Sequence, residues 1–214
     1  MSDNVVDNNE ITNVVDLFPT PLFSFDVPKS EEFRKEVIEY ILKDEEQNKT
    51  NSEAFSLKGR NGYHSPATLT YLSEDWSKTL EAIIHQSCTQ YLKILSGNPN
   101  HHPLNENNCR TVCWAMVMRE GDYSSVHTHP NSDLSGVFYL QIPENLPENE
   151  GNLVFIDPRG GARGSRLLGS QEKRQAPVEG HGWIFPSWLD HYVQSHFTGG
   201  TRISLSWNVS LLNT

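Results

Sequence analysis

The chain has 214 residues, with 17 Lys+Arg against 27 Asp+Glu, 9 His and 3 Cys, for a formal net charge of −10. That length suits one domain whose core stands without metal or disulfide staples, and an aromatic content of 10% argues against wholesale disorder. The negative charge argues against nucleic acid or an anionic membrane as the main partner, and no apolar run of about 18 residues offers a membrane span.

Residues 1–16 carry Asp3, Asp7, Glu10 and Asp16 and show neither the basic n-region nor the apolar h-region of a secretory leader. They read as a flexible acidic tail ahead of a single domain over 17–214. Residues 17–25 are extended, and Pro19 and Pro21 suit an edge strand because they donate nothing to a ladder. Ser30 is placed to cap a helix with Glu31 and Glu32 in its first turn. Phe33, Val37 and Ile41 give that helix one apolar stripe. Residues 48–70 form a long polar loop around Gly59 and Gly62. A second helix is predicted to start at Ser73, with Trp76, Leu80, Ile83, Ile84, Tyr91 and Leu95 in helical period and Gly97 as its stop. The helical part thus spans about 28–97. His101 and His102 sit in a polar loop over 96–108, and adjacent residues rarely converge on one metal.

From about 108 to 212 the pattern is β. Strands are predicted over 112–118, 135–142, 152–156, 182–185 and 203–211, joined by Gly, Pro and Asn. The expected class is mainly β with flanking helices, a sandwich, jelly roll or barrel. Cys109 and Cys113 share one strand, four positions and about 13 Å apart, too far for a disulfide. With Cys88 they make an odd number without a CxxC pair. That excludes a zinc ribbon and suits reduced thiols in the cytoplasm.

Three constellations carry chemistry. His127-Thr128-His129 places two imidazoles at i and i+2, on one face of a strand. His191 follows an apolar strand and a Pro-containing turn about sixty residues on; His196, in a Gly/Thr-rich loop, is its rival. Three such side chains on one face of a metal leave the opposite positions open to dioxygen and a cosubstrate. The third is the strand from Arg202 to Leu211. Ile203, Leu205, Trp207 and Val209 alternate with Arg202, Ser204, Ser206 and Asn208, a polar set that is either solvated or lines a barrel lumen. In a lumen, the guanidinium of Arg202 would bind a carboxylate, with Ser204 adding a hydrogen bond.

Together these segments resemble the 2-oxoglutarate/Fe(II)-dependent oxygenase superfamily, and within it an uncharacterised subfamily. The resemblance rests on His127-Thr128-His129-Pro130, Leu134-Ser135-Gly136-Val137-Phe138-Tyr139-Leu140, Gly151-Asn152-Leu153-Val154-Phe155-Ile156-Asp157-Pro158-Arg159, Phe185-Pro186-Ser187-Trp188-Leu189-Asp190-His191 and Arg202-Ile203-Ser204-Leu205-Ser206-Trp207-Asn208. It is supported by Leu17-Phe18-Pro19-Thr20-Pro21-Leu22 and Gly62-Tyr63-His64-Ser65. It implies a double-stranded β-helix (jelly roll) with helices packed outside, one Fe(II), and 2-oxoglutarate as cosubstrate with its far carboxylate on Arg202 and Ser204. Tyr139 would be a further donor. Dioxygen and an unidentified substrate would complete the reaction, which ends in succinate and, as a rule, a hydroxylated product. A homodimer through the N-terminal helices fits such a fold without being required by any residue pattern.

The superfamily's usual first motif is H-x-D, whereas His129 stands at its second position here. The site is then His127, His129 and His191, or a carboxylate, Asp133 or Asp157, takes the third place. Asp157 also suits a turn with Pro158, and Asp190 could orient a ligand from behind. Trp114, Trp183, Trp188 and Trp207 read as core. The basic stretch 159–174 is a mobile loop or a lid for an anionic substrate. Two other classes stay open: a three-His cupin-like dioxygenase or isomerase that does without 2-oxoglutarate, and a non-enzymatic jelly-roll binding module.

Overall fold

The computed structural model describes residues 17–48, 62–160 and 171–212. The acidic tail, most of the 48–70 loop and the centre of the basic stretch lie outside the described residues. In chain order the elements are β1 (Phe23–Asp26), α1 (Glu31–Gln47), β2 (Tyr63–His64), a 3-10 turn at Leu69–Tyr71, α2 (Asp75–Ser96), β3 (Cys109–Met118), β4 (Ser124–His127), β5 (Leu134–Gln141), β6 (Leu153–Ile156), β7 (Glu172–Gln175), β8 (His181–Pro186), β9 (His191–Val193) and β10 (Arg202–Leu211).

The strands form two antiparallel sheets, a larger one in the order β1-β8-β5-β10-β3-β2 and a smaller one in the order β4-β9-β6-β7. From β3 onward the chain shuttles between them, which is the winding of a jelly roll. The expected class and architecture are met. β1 pairs with β8 alone, so the segment that follows Pro19 and Pro21 lies at a sheet edge, as their missing donors require.

Period-two alternation makes the larger sheet buried on both faces. Cys113, Ala115 and Val117 of β3, Phe138 and Leu140 of β5, and Ile203, Leu205, Trp207 and Val209 of β10 pack against Val37 and Ile41 of α1 and Leu80, Ile84 and Tyr91 of α2. The intervening residues Trp114, Met116, Met118, Val137 and Tyr139 face the smaller sheet and meet Leu153, Phe155 and Val193. Gly136 is the register partner of Trp207. A Cβ there would stand 2.3 Å from the indole, so only glycine lets that ring lie across β5.

Two helix termini differ in detail from the sequence reading. Ser30 is the N-cap of α1 but makes no side-chain cap bond; its hydroxyl is turned toward the Gly180 turn. α2 begins at Asp75, with Glu74 as its extended N-cap residue, two residues later than Ser73. It ends as predicted at Gly97, whose φ of 62° is the left-handed cap that glycine adopts without strain. The tryptophans divide. Trp207 is core, Trp114 lines the lumen, and Trp188 is 58% exposed, because the turn before β9 carries it outward. Among the described residues no helix is long and apolar enough to cross a membrane.

Candidate functional site

His127 ends β4 and His191 opens β9, and the two are register partners. His191 is also the partner of Phe155 on β6. His129 lies two residues beyond the end of β4, not on the strand the i, i+2 spacing suggested. Its backbone N–H donates to the carbonyl of Ser187, 2.9 Å away, which turns the ring back over the other two. Ring centroids lie 5.0 Å apart for His127–His129, 4.3 Å for His127–His191 and 5.1 Å for His129–His191. One ring nitrogen from each falls within 4.8 Å of the others.

Each strand-borne ring is fixed by its own backbone. Nδ1 of His127 donates to the Ser125 carbonyl at 2.8 Å, and Nδ1 of His191 to the Leu189 carbonyl at 2.8 Å. Those bonds hold the hydrogen on Nδ1 and put the lone pair on Nε2, the arrangement a metal-binding imidazole needs. Nε2 of His129 is 3.2 Å from Nε2 of His191. Two nitrogens at right angles on one metal, each at about 2.1 Å, would stand roughly 3 Å apart. The donor set therefore fits a single borderline cation such as Fe(II).

The same lumen holds Arg202, which is 1% exposed. Its Nε donates to the Gly151 carbonyl at 3.2 Å and its Nη1 to Ser204 Oγ at 3.2 Å. Nη1 also approaches Met118 Sδ at 3.6 Å, and the guanidinium lies over the Tyr139 ring, 5.0 Å from its centroid. Nη2 of Arg202 and the Tyr139 hydroxyl are buried without a hydrogen-bond partner, and among the described residues no carboxylate forms an ion pair with Arg202. Burial pulls the Arg202 pKa down and pushes the Tyr139 pKa up, the second opposed by the neighbouring positive charge. A buried guanidinium with spare donors is costly, and a carboxylate is the group that would satisfy it bidentately. The polar face of β10 thus lines the lumen instead of meeting solvent.

The structure brings His127, His129, His191, Arg202 and Ser204 to one lumen, together with His64, Trp114, Met116 and Ser206 around a cavity of about 30 Å³, and Tyr139 lies against Arg202. The carboxylate alternatives do not join the cluster. Asp133 accepts the Leu211 backbone N–H at 2.7 Å. Asp157 takes the Arg159 backbone N–H and guanidinium at 2.7 to 3.0 Å, which holds its carboxyl down to about 2. It opens the turn its Pro158 suggested. His196 is fully buried elsewhere, with Nε2 3.4 Å from the Met118 carbonyl. Of the basic stretch, Arg159 and Lys173 border a hollow of about 740 Å³ with Leu22, Phe155 and Leu189, but Arg159 is engaged by Asp157 and Arg174 by Glu172.

Sequence reasoning assigned no role to Asn208. Its Nδ2 is 3.4 Å from His129 Nδ1, and its Oδ1 accepts from Ser135 Oγ at 2.8 Å. Its alternation with Trp207 placed it on the lumen face; nothing in one strand's pattern could show that His129 would turn back to meet it.

Residues 112–208 match the model of the family described as "Putative 2OG-Fe(II) oxygenase", 2OG being 2-oxoglutarate. No curated protein matches the chain. Solved structures that it resembles include a Pseudomonas putida prolyl-4-hydroxylase, with 16% identity over 88% of this chain and 92% of that one at a TM-score of 0.58. A viral collagen prolyl hydroxylase from Paramecium Bursaria Chlorella virus-1, as its 2OG complex, gives 12% identity over 90% and 96% at 0.54. SnoK, a non-heme alpha ketoglutarate dependent carbocyclase from nogalamycin biosynthesis, gives 10% over 89% and 79% at 0.59. At these identities the likeness is one of fold. The family match covers β4 to β9 whole with most of β3 and β10, so this stretch, which carries all three histidines and Arg202, is similar to that family.

Proposed function

We propose that the protein hydroxylates a substrate still to be identified, using dioxygen and converting 2-oxoglutarate to succinate. His127, His129 and His191 would hold the Fe(II); Arg202, with Ser204 and Tyr139, would hold the far carboxylate of 2-oxoglutarate. The observation that carries this reading is the buried guanidinium of Arg202, with an unpaired Nη2 in the lumen that the three imidazoles share.

Fe(II) and 2-oxoglutarate, when bound, supply dioxygen activation and the oxidising power for attack on a C–H bond. The residues of the chain do the rest. The Ser125 and Leu189 carbonyls keep His127 and His191 in their ligating tautomer. Arg202 and Tyr139 supply positive charge and a hydroxyl where the cosubstrate ends. Trp114, Met116, Leu153, Phe185 and Val193 line the lumen with apolar surface, which strengthens the guanidinium–carboxylate attraction. Three buried free cysteines support a reducing, cytoplasmic setting.

The test is anaerobic. Fe(II) and then 2-oxoglutarate are added to untagged protein, and the weak visible charge-transfer band of an Fe(II)–oxoacid chelate is measured. The band is expected in wild type and lost in Arg202→Ala. Iron binding without a band would favour a three-His enzyme that does not use 2-oxoglutarate, and no iron binding would leave a non-enzymatic jelly roll.

A further inference from the structure

Three residues in the oxygenase resemblance have no part in the proposed chemistry: Ser135 after Leu134, Ser187 after Phe185-Pro186, and Asn208 at the end of the Arg202 strand. The structure joins all three behind His129. Asn208 Nδ2 lies 3.4 Å from His129 Nδ1, Ser135 Oγ is 2.8 Å from Asn208 Oδ1, and Ser135 Oγ is 2.7 Å from Ser187 Oγ. Ser187 closes the loop, because its carbonyl accepts the backbone N–H of His129 at 2.9 Å. Ser135 and Ser187 are both buried, so solvent does not compete for these bonds.

His129 differs from its two companions in what faces Nδ1. His127 and His191 meet backbone carbonyls there, which only accept. His129 meets an amide. With the Asn208 N–H donating, Nδ1 of His129 accepts, Nε2 carries the hydrogen, and Nε2 can donate to His191 Nε2 at 3.2 Å. A cation shared by the three rings needs the opposite tautomer, with the lone pair on His129 Nε2. An amide can serve both. When it turns over, Oδ1 accepts from Nδ1–H and Nδ2 donates to Ser135 Oγ, whose own hydrogen turns to Ser187 Oγ. The ring gives up one proton at Nε2 and takes one at Nδ1, so its charge is unchanged, and the hydrogen of Ser187, displaced from Ser135 Oγ, turns away from the relay.

We infer that Asn208 is a positioning residue for His129: through the Ser135–Ser187 relay its amide sets which nitrogen of His129 presents a lone pair to the metal. The inference rests on the three-histidine reading above. It gives a physical reason for the departure from H-x-D. A carboxylate at that position has no tautomer to set, whereas a histidine beyond the strand end needs a partner for its second nitrogen.

The test is Co(II) titration of the full chain, followed by d–d absorption and calorimetry and so independent of turnover. Asn208→Leu is expected to weaken Co(II) binding by about 10–100-fold. Asn208→Asp, which can only accept from Nδ1–H, is expected to bind at least as tightly as wild type. In a His129→Asp background, Asn208→Leu is expected to cost nothing. Equal losses in both backgrounds, or wild-type affinity in Asn208→Leu, would overturn the inference while the three-histidine site stood. No Co(II) uptake by wild type would overturn that site and the inference with it.

Discussion

His127 and His191 face each other across the β4–β9 ladder as register partners, with ring centroids 4.3 Å apart. Opposed residues of an antiparallel pair leave a sheet on the same face, so the pairing alone aims two imidazoles into the lumen. His127→Ala and His191→Ala are each expected to abolish stoichiometric iron in untagged protein, measured by elemental analysis after anaerobic loading. His196→Ala, at a buried site outside the cluster, is expected to keep it. Iron retained by either of the first two would remove that residue from the ligand set.

Arg202 sets binding against stability. A buried charge that lacks an ion-pair partner destabilises the fold, and replacing buried ionic groups by apolar side chains of similar volume is often neutral or stabilising by about 1–4 kcal/mol. Arg202→Met is therefore expected to leave the melting temperature of the ligand-free protein unchanged or raised. Wild type with 2-oxoglutarate and metal at 100 times Kd should gain about 2.7 kcal/mol; Arg202→Met should gain nothing from 2-oxoglutarate. A 2-oxoglutarate-dependent melting shift in the variant would place the carboxylate elsewhere.

The sequence made the larger sheet legible because three of its strands, β3, β5 and β10, are long and carry their burial in their own alternation. It made α1 and α2 legible through their stripes and Gly97. It left β2, β7 and β9 unseen, and it carried the strand of β4 past His127 to His129. These strands are two to four residues long and owe their conformation to pairing, as the bulge between Ser124 and His127 shows. Arg202 and Ser204 are legible in the alternation of β10, and Tyr139 only through the family resemblance; that Ser204 and Tyr139 are register partners is a fact of strand pairing. Asn208 was not given a role because its partner His129 is brought to it by the Ser187 carbonyl, a contact between residues 58 apart along the chain.

Alkaline pH should destabilise the protein. Burial pushes the Cys88 thiol from 9.0 up to about 12, and raises Cys113 and Tyr91 as well. A group whose folded pKa is raised stabilises the fold fully below its unfolded value, and that contribution is lost as pH rises towards the folded one, because the unfolded chain ionises first. Unfolding free energy is expected to fall from about pH 9 upward, by about 1.4 kcal/mol per pH unit for Cys88 alone. Urea titrations between pH 7 and 11 measure it. In the same window native protein should resist a thiol reagent that labels all three cysteines once urea is added; rapid native labelling would mean the thiols are not buried.

Gly136 and Trp207 form a packing pair that no hydrogen bond supports. The indole lies across β5 where a Cβ on residue 136 would come within 2.3 Å of Cζ2 and 2.4 Å of Cε2. These are rigid ring atoms of a fully buried side chain, so the sheet or the ring must shift. Overpacking of this kind costs about 1–3 kcal/mol, and Gly136→Ala is expected to lower unfolding free energy by that amount in urea. Trp207→Phe alone leaves a void and also destabilises. In Gly136→Ala/Trp207→Phe the smaller ring makes room for the new methyl, so the double variant should be more stable than the sum of the single losses predicts. The coupling expected for residues in contact is 0.5–3 kcal/mol. Strict additivity would show that glycine is needed at 136 for some reason other than the indole.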